Sequence, residues 1–193
     1  MPPAAHPLLE QGRVYRTKEL ARWGLNAPRL AKRLVREGAL IPLAQGLFAC
    51  PKRGRFGPVA PTDAEIMRAF LEGAPFVFTG PERWNALGLG STAVFASTLV
   101  YNTKRSGLFE LGGRKFDLRR VAFPQPSPLE WFVVDLLENA GSVSASLREL
   151  ADALVRALRR GAFDPRRLGE MANRFGTRST QSLVHDAIQM ATA

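Results

Sequence analysis

The chain has 193 residues, 46% of them apolar, with a formal net charge of +10. That suits one domain or two small ones around a real hydrophobic core, and excludes a disordered, collagenous or repeat protein. The single cysteine, Cys50, rules out an internal disulfide and a multi-cysteine zinc site, and points to a reducing compartment.

No basic stretch followed by a long apolar run opens the sequence, and residues 1–7, which include His6, read as a frayed tail. A short strand is expected over 14–16. Thr17 then caps a helix over 18–23, which Gly24 stops. Asn26 caps the next helix, with Pro28 in its first turn and Gly38 at its end. Two apolar runs, 39–43 and 47–50, are joined by Ala44, Gln45 and Gly46. Helix, short turn, helix and β-hairpin is the order of a winged helix-turn-helix. The Pro/Gly/Arg stretch 51–61 reads as a linker, so residues 1–56 form a DNA-binding domain and 57–193 the remainder.

The remainder splits into a mixed segment, 62–123, and a helical one, 127–193. A helix capped by Thr62 covers 62–71, and a strand follows over 76–79. A short helix covers 82–87, and a second strand 94–101. Gly112-Gly113 joins two more strands, 107–111 and 114–123, in the clearest hairpin turn of the sequence. After Pro124, Pro126 and Pro128 apolar stripes mark four helices: Leu129 to Leu137, Leu147 to Leu158, Leu168 to Phe175 and Leu183 to Ala191. The apolar stretches 74–79 and 92–102 are too short or too polar to span a bilayer, so a soluble, cytoplasmic protein with no membrane partner is expected. The expected fold is α+β.

The charge is concentrated. Residues 1–56 hold eleven basic side chains against three acidic ones, whereas the other 137 hold sixteen against fourteen. Such a field favours a polyanion, or simply solubilises the surface. Arginine outnumbers lysine, which fits phosphate recognition and equally a GC-rich genome. On the helix after Asn26, Ala27, Leu30, Ala31, Leu34 and Val35 share one arc and Arg29, Lys32, Arg33 and Arg36 the opposite one. Four cations facing away from the core suit the major groove, with Arg29 nearest the base edges. Arg16, Thr17 and Lys18, at the start of the preceding helix, are placed to hold a phosphate. Gln45 at the hairpin tip and the run Lys52-Arg53-Gly54-Arg55 either add backbone contacts or, for that run, belong to a mobile linker. Lys104, Arg105, Arg114, Lys115, Arg119 and Arg120 form a second basic surface. It extends the DNA face, meets an acidic partner, or guards an edge strand.

No catalytic, metal-ligating or cofactor-binding set emerges. Of the two histidines, His185 adjoins Asp186 on a helix, and Cys50 sits in the wing as a packed residue. Gly90-Ser91 lacks the paired carboxylates that nucleotidyl transfer needs, the next acid being Glu110. Glu110 and Asp117 flank the Gly112-Gly113 turn without a lysine at nuclease spacing. No enzyme is expected.

The segment Val14-Tyr15-Arg16-Thr17-Lys18-Glu19-Leu20, the basic helix and Gln45-Gly46-Leu47-Phe48 resemble the N-terminal domain of AbiEi-type antitoxins. The resemblance continues through Ala86-Leu87-Gly88-Leu89-Gly90-Ser91-Thr92, Val100-Tyr101-Asn102-Thr103 and the basic hairpin, covering roughly 13–123. Where the family wing reads Arg-Gly-apolar-Tyr, Gln45 replaces the arginine and Phe48 keeps the packing. The resemblance implies a repressor of its own toxin–antitoxin operon that binds inverted repeats in promoter DNA. It also implies that the chain counteracts a nucleotidyltransferase-type toxin, with residues 62–193 carrying that role. The alternative is a winged-helix regulator whose C-terminal part dimerises or binds an effector.

Overall fold

The computed structural model describes residues 8–55 and 57–193, with Arg53 described by its backbone alone. The expected tail, with His6, lies outside them. The protein is α+β. Its elements, in chain order, are β1 (Val14–Arg16), α1 (Thr17–Leu20), α2 (Ala27–Arg36), β2 (Ile41–Ala44) and β3 (Leu47–Ala49). β4 (Lys52–Gly54), β5 (Gly57–Val59), α3 (Asp63–Phe70), β6 (Phe76–Thr79), α4 (Pro81–Asn85) and β7 (Thr98–Asn102) follow. β8 (Gly107–Leu111), β9 (Arg114–Arg120), α5 (Leu129–Glu138), α6 (Leu147–Arg159), α7 (Pro165–Phe175) and α8 (Arg178–Thr192) complete the chain. The chain forms two compact units, one of residues 1–75 with 108–115, the other of 76–107 with 116–193.

In the first unit β1, β3 and β2 form an antiparallel sheet with β3 in the middle. Gly46 turns the β2–β3 hairpin at φ 75°, a left-handed conformation that glycine adopts without a Cβ penalty. Helix, turn, helix and β-hairpin follow one another in the order the sequence predicts. Two local expectations change. Arg16, not Thr17, is the residue before the first helical turn, because the Glu19 carboxylate accepts the Arg16 N–H at 2.8 Å and fixes the start there. The helix itself loosens after Leu20 into a 3-10 turn, Ala21–Trp23. The stretch 51–61 is no linker, since β4 and β5 pair antiparallel within it. The first unit continues through α3, which packs on β1 and buries Ile66 and Met67 completely. Thr62 caps α3 as expected, in a reciprocal box with Glu65.

In the second unit β7 pairs antiparallel with β6 and parallel with β9. The expected strand over 94–101 begins only at Thr98, and Val94 is exposed. The strand expected to reach 123 ends at Arg120. The core is built by α4, β7 and the four C-terminal helices. Every side chain of α5 from Glu130 to Leu137 is buried, two carboxylates among them, so the expected stripe is one part of a helix buried all round. Leu129 and Leu147, expected in the stripes, lie in the first turns of α5 and α6 and are exposed.

Burial of α5 brings Asp135 into the core, 4% exposed. Its Oδ2 accepts from Thr79 Oγ1 and from Trp84 Nε1 at 2.8 Å, while Asn139 Nδ2 donates to Oδ1 at 3.2 Å. Asn139 also donates to the Tyr101 hydroxyl at 3.1 Å and accepts from Arg119 at 3.1 Å. Burial pushes the Asp135 carboxyl above the usual range, and the hydrogen bonds from Thr79, Trp84 and Tyr101 oppose that rise. The same burial, with Asp135 beside it, raises the Tyr101 hydroxyl. Asp135→Ala orphans the Trp84 and Thr79 donors, so a loss of about 3 kcal/mol is expected in denaturant unfolding. A loss under about 0.5 kcal/mol would show that the network is dispensable.

Candidate nucleic-acid interface

α2 is held by the first-unit core. Ala27, Leu30, Ala31 and Leu34 are buried with Tyr15, Leu20, Leu40 and Cys50, and Trp23, Val35 and Phe48 pack against them. The Asn26 side chain accepts the Arg29 N–H at 3.0 Å, satisfying one of the free donors at the helix start. With that stripe inward, Arg29, Lys32 and Arg36 project outward and are exposed. Among the described residues none of the three forms an ion pair. Arg33 differs. At about 100° per residue it falls beside Leu30 at the edge of the buried arc. It is half-buried, its Nε has no hydrogen-bond partner, and the Glu37 carboxylate stands 3.8 Å away.

The residues at the head of α1 are engaged within the protein. Thr17 donates its N–H to the Gly46 carbonyl at 2.9 Å, which ties the helix to the wing turn and removes that amide from phosphate binding. α1 is one turn long and offers little dipole of its own. Arg16 pairs with Glu72 Oε1, and Lys18 Nζ lies 3.0 Å from Glu72 Oε2. Arg13 is held between Glu10 at 2.9 Å and Glu19 at 3.2 Å. Gln45 is exposed at the wing turn. Lys52 belongs to β4, and its stem lies so close to Gly12 that a Cβ there would collide with it. For Arg53 the backbone alone is described, also in β4.

The second basic group is divided between the units. In the first unit Arg114 donates to Asp63 and to the Pro61 carbonyl at 2.7 Å, so it fastens the start of α3, and Lys115 is exposed. In the second, Arg119 is spent between Asp117 and Asn139, and Arg120 is exposed. Lys104 and Arg105 follow β7, where their N–H groups donate to Asn102 Oδ1 at 2.8 Å each. Arg119 and Arg120 lie where β9 pairs with β7.

Asp117 is held by Arg119, and Ser91 Oγ donates to Asn85 at 3.4 Å. His185 is exposed on α8, within 2.9 Å of Gln189. Among the described residues no three His, Cys, Asp or Glu side chains gather as a metal site, and no helix is long and apolar enough to cross a membrane. The two groups that sequence reasoning missed are Glu72 and Asp135. A glutamate directly before Gly73 after an amphipathic helix was the available signal for the first.

No protein-family model matches the chain, and no curated protein matches it in sequence. Among solved structures, the fold is similar to the RV2827C protein from Mycobacterium tuberculosis, with a TM-score of 0.57 at 14% identity. The similarity covers 93% of this chain and 72% of that one. At that identity it speaks for the fold alone.

Cys50 is buried, and burial pushes its thiol up, away from the reactive thiolate. Ellman's reagent is therefore expected to label the native protein slowly and the denatured protein at once. Equally fast labelling of both would mean that the first-unit core opens.

Proposed function

We propose that this chain binds double-stranded promoter DNA through α2 and represses its own operon in the cytoplasm. The observation that carries the reading is the pairing pattern of the first unit. Arg13, Arg16 and Lys18 have carboxylate partners, whereas Arg29, Lys32 and Arg36 stand exposed on one face of α2 with none among the described residues. Three unneutralised cations at helical spacing, backed by a buried apolar stripe, offer what a phosphate backbone and guanine edges need. Arg29, in the first turn, is placed for base contact; Lys32 and Arg36, further along, suit phosphates. Gln45 at the wing turn adds a neutral donor and acceptor beside them in sequence order. No catalytic step is assigned to the chain.

The test is binding to the DNA upstream of its own gene against scrambled DNA. Wild type is expected to prefer the former, with affinity that falls steeply as salt rises. Arg29→Ala/Lys32→Ala/Arg36→Ala is expected to lose the preference and to flatten the slope of log K against log salt by about 2–3. Identical curves for the two proteins would sink the assignment of α2.

The antitoxin part of the proposal rests on the resemblance of residues 13–123 to AbiEi-type antitoxins. It holds that the rest of the chain counteracts a nucleotidyltransferase-type toxin encoded beside it. Co-expression with the neighbouring gene is expected to restore growth that this gene alone arrests, and the triple variant of α2 is expected to rescue as well as wild type. Arrest that persists under co-expression would leave a DNA-binding regulator without antitoxin action.

A further inference from the structure

Glu72 follows Leu71, the residue that caps the end of α3, at φ 58°. It is the one non-glycine residue with a positive φ among the described residues. This is the left-handed position at which helices favour glycine or asparagine, and Gly73 stands next in the chain. The backbone gains nothing from a glutamate there; the side chain is what the position uses. Because α3 packs on β1, the end of α3 comes beside the end of β1 and the start of α1. One carboxylate then meets two cations, Oε1 taking Arg16 and Oε2 taking Lys18 at 3.0 Å. A phosphate group would engage the same two side chains in the same way. The pair lines an open groove of about 660 Å³ in the first unit, so solvent and a polyanion reach it.

Resting on the DNA-binding reading above, we propose that Glu72 sets the affinity for DNA, as an internal stand-in for phosphate that a DNA backbone has to displace from Arg16 and Lys18. Phosphate contacts are independent of sequence and supply nearly all non-specific affinity. A carboxylate already seated on two of the phosphate-binding cations cancels much of that gain, on any DNA. The contacts of α2 to base edges are untouched, so operator and random-sequence DNA are weakened alike and the ratio between them is kept. The exchange moves no covalent bond: a carboxylate leaves two cations and a phosphate takes its place.

The experiment compares wild type, Glu72→Gln and Glu72→Gln/Arg16→Gln/Lys18→Gln on a random-sequence duplex and on the chain's own upstream DNA, at several salt concentrations. Glu72→Gln is expected to bind the random duplex about tenfold more tightly at low salt, with a slope of log K against log salt steeper by up to about 1.8. Its binding to the upstream DNA tightens by the same factor, so its preference is unchanged. The triple variant loses both gains. Glu72→Gly removes the same carboxylate and suits the backbone, so it has to reproduce the glutamine result, and it keeps the test valid if the glutamine variant folds poorly. Wild-type affinity and slope in both single variants, while wild type binds selectively, would overturn the role of Glu72 and leave the α2 reading standing. Tighter binding by Glu72→Gln together with an unaffected α2 triple variant would uphold Glu72 and remove α2. Failure of every protein to bind either duplex would overturn both.

Discussion

The direction in which α2 presents its charges is set by what its other face buries. Leu34 is fully buried and Leu30, Ala31 and Ala27 nearly so, in a core shared with Tyr15, Leu20 and Leu40. Burying side chains of this size stabilises by about 1.5–3 kcal/mol for each leucine. Rotating the helix by one residue would expose that stripe and drive Arg29 or Lys32 into the core, so the register is fixed by packing rather than by the charges themselves. Asn26 fixes where the helix begins, and the bond from Thr17 N–H to the Gly46 carbonyl ties the preceding turn to the wing. The reading of α2 as the DNA-contacting helix follows from that one constraint, because it decides which of its cations face outward.

Against this frame of packing, the carboxylates do the sorting. The first unit is strongly basic, yet Glu10, Glu19 and Glu72 are spent on Arg13, Arg16 and Lys18. Exposed pairs of this kind contribute little to stability, typically under 1 kcal/mol each. Their consequence is electrostatic: they neutralise the cations around the head of α1, while Arg29, Lys32 and Arg36 of α2 have no carboxylate partner among the described residues. Arg114 and Arg119, which look like surface charges in the sequence, are structural, one fastening Asp63 and the Pro61 carbonyl, the other joined through Asn139 to the buried Asp135.

α2 and its outward face were legible because a ten-residue amphipathic helix with an Asn cap carries its own pattern. The wing turn at Gly46 and the Gly112-Gly113 hairpin were legible because left-handed turns demand glycine. The β4–β5 hairpin was not: three-residue strands are too short for alternation to register, and Pro51, Gly54, Gly57 and Pro58 look like punctuation. The parallel pairing of β7 with β9 is set by tertiary packing. Glu72 and Arg16 are 56 positions apart, and no local pattern links them. Asp135 is hidden differently, as one polar residue inside an apolar run whose donors come from β6, α4 and the end of α5. Long-range polar partnerships are where the site departs from what composition and period reveal.

The most direct test of the claim that α2 reads DNA is a residue-resolved one. In a titration of isotope-labelled protein with its upstream duplex, followed by amide and arginine side-chain resonances, the account predicts the largest shifts at Arg29, Lys32 and Arg36. Smaller shifts are expected at Gln45, and none in the buried network around Asp135. Saturable shifts confined to other elements, with α2 unmoved, would contradict it.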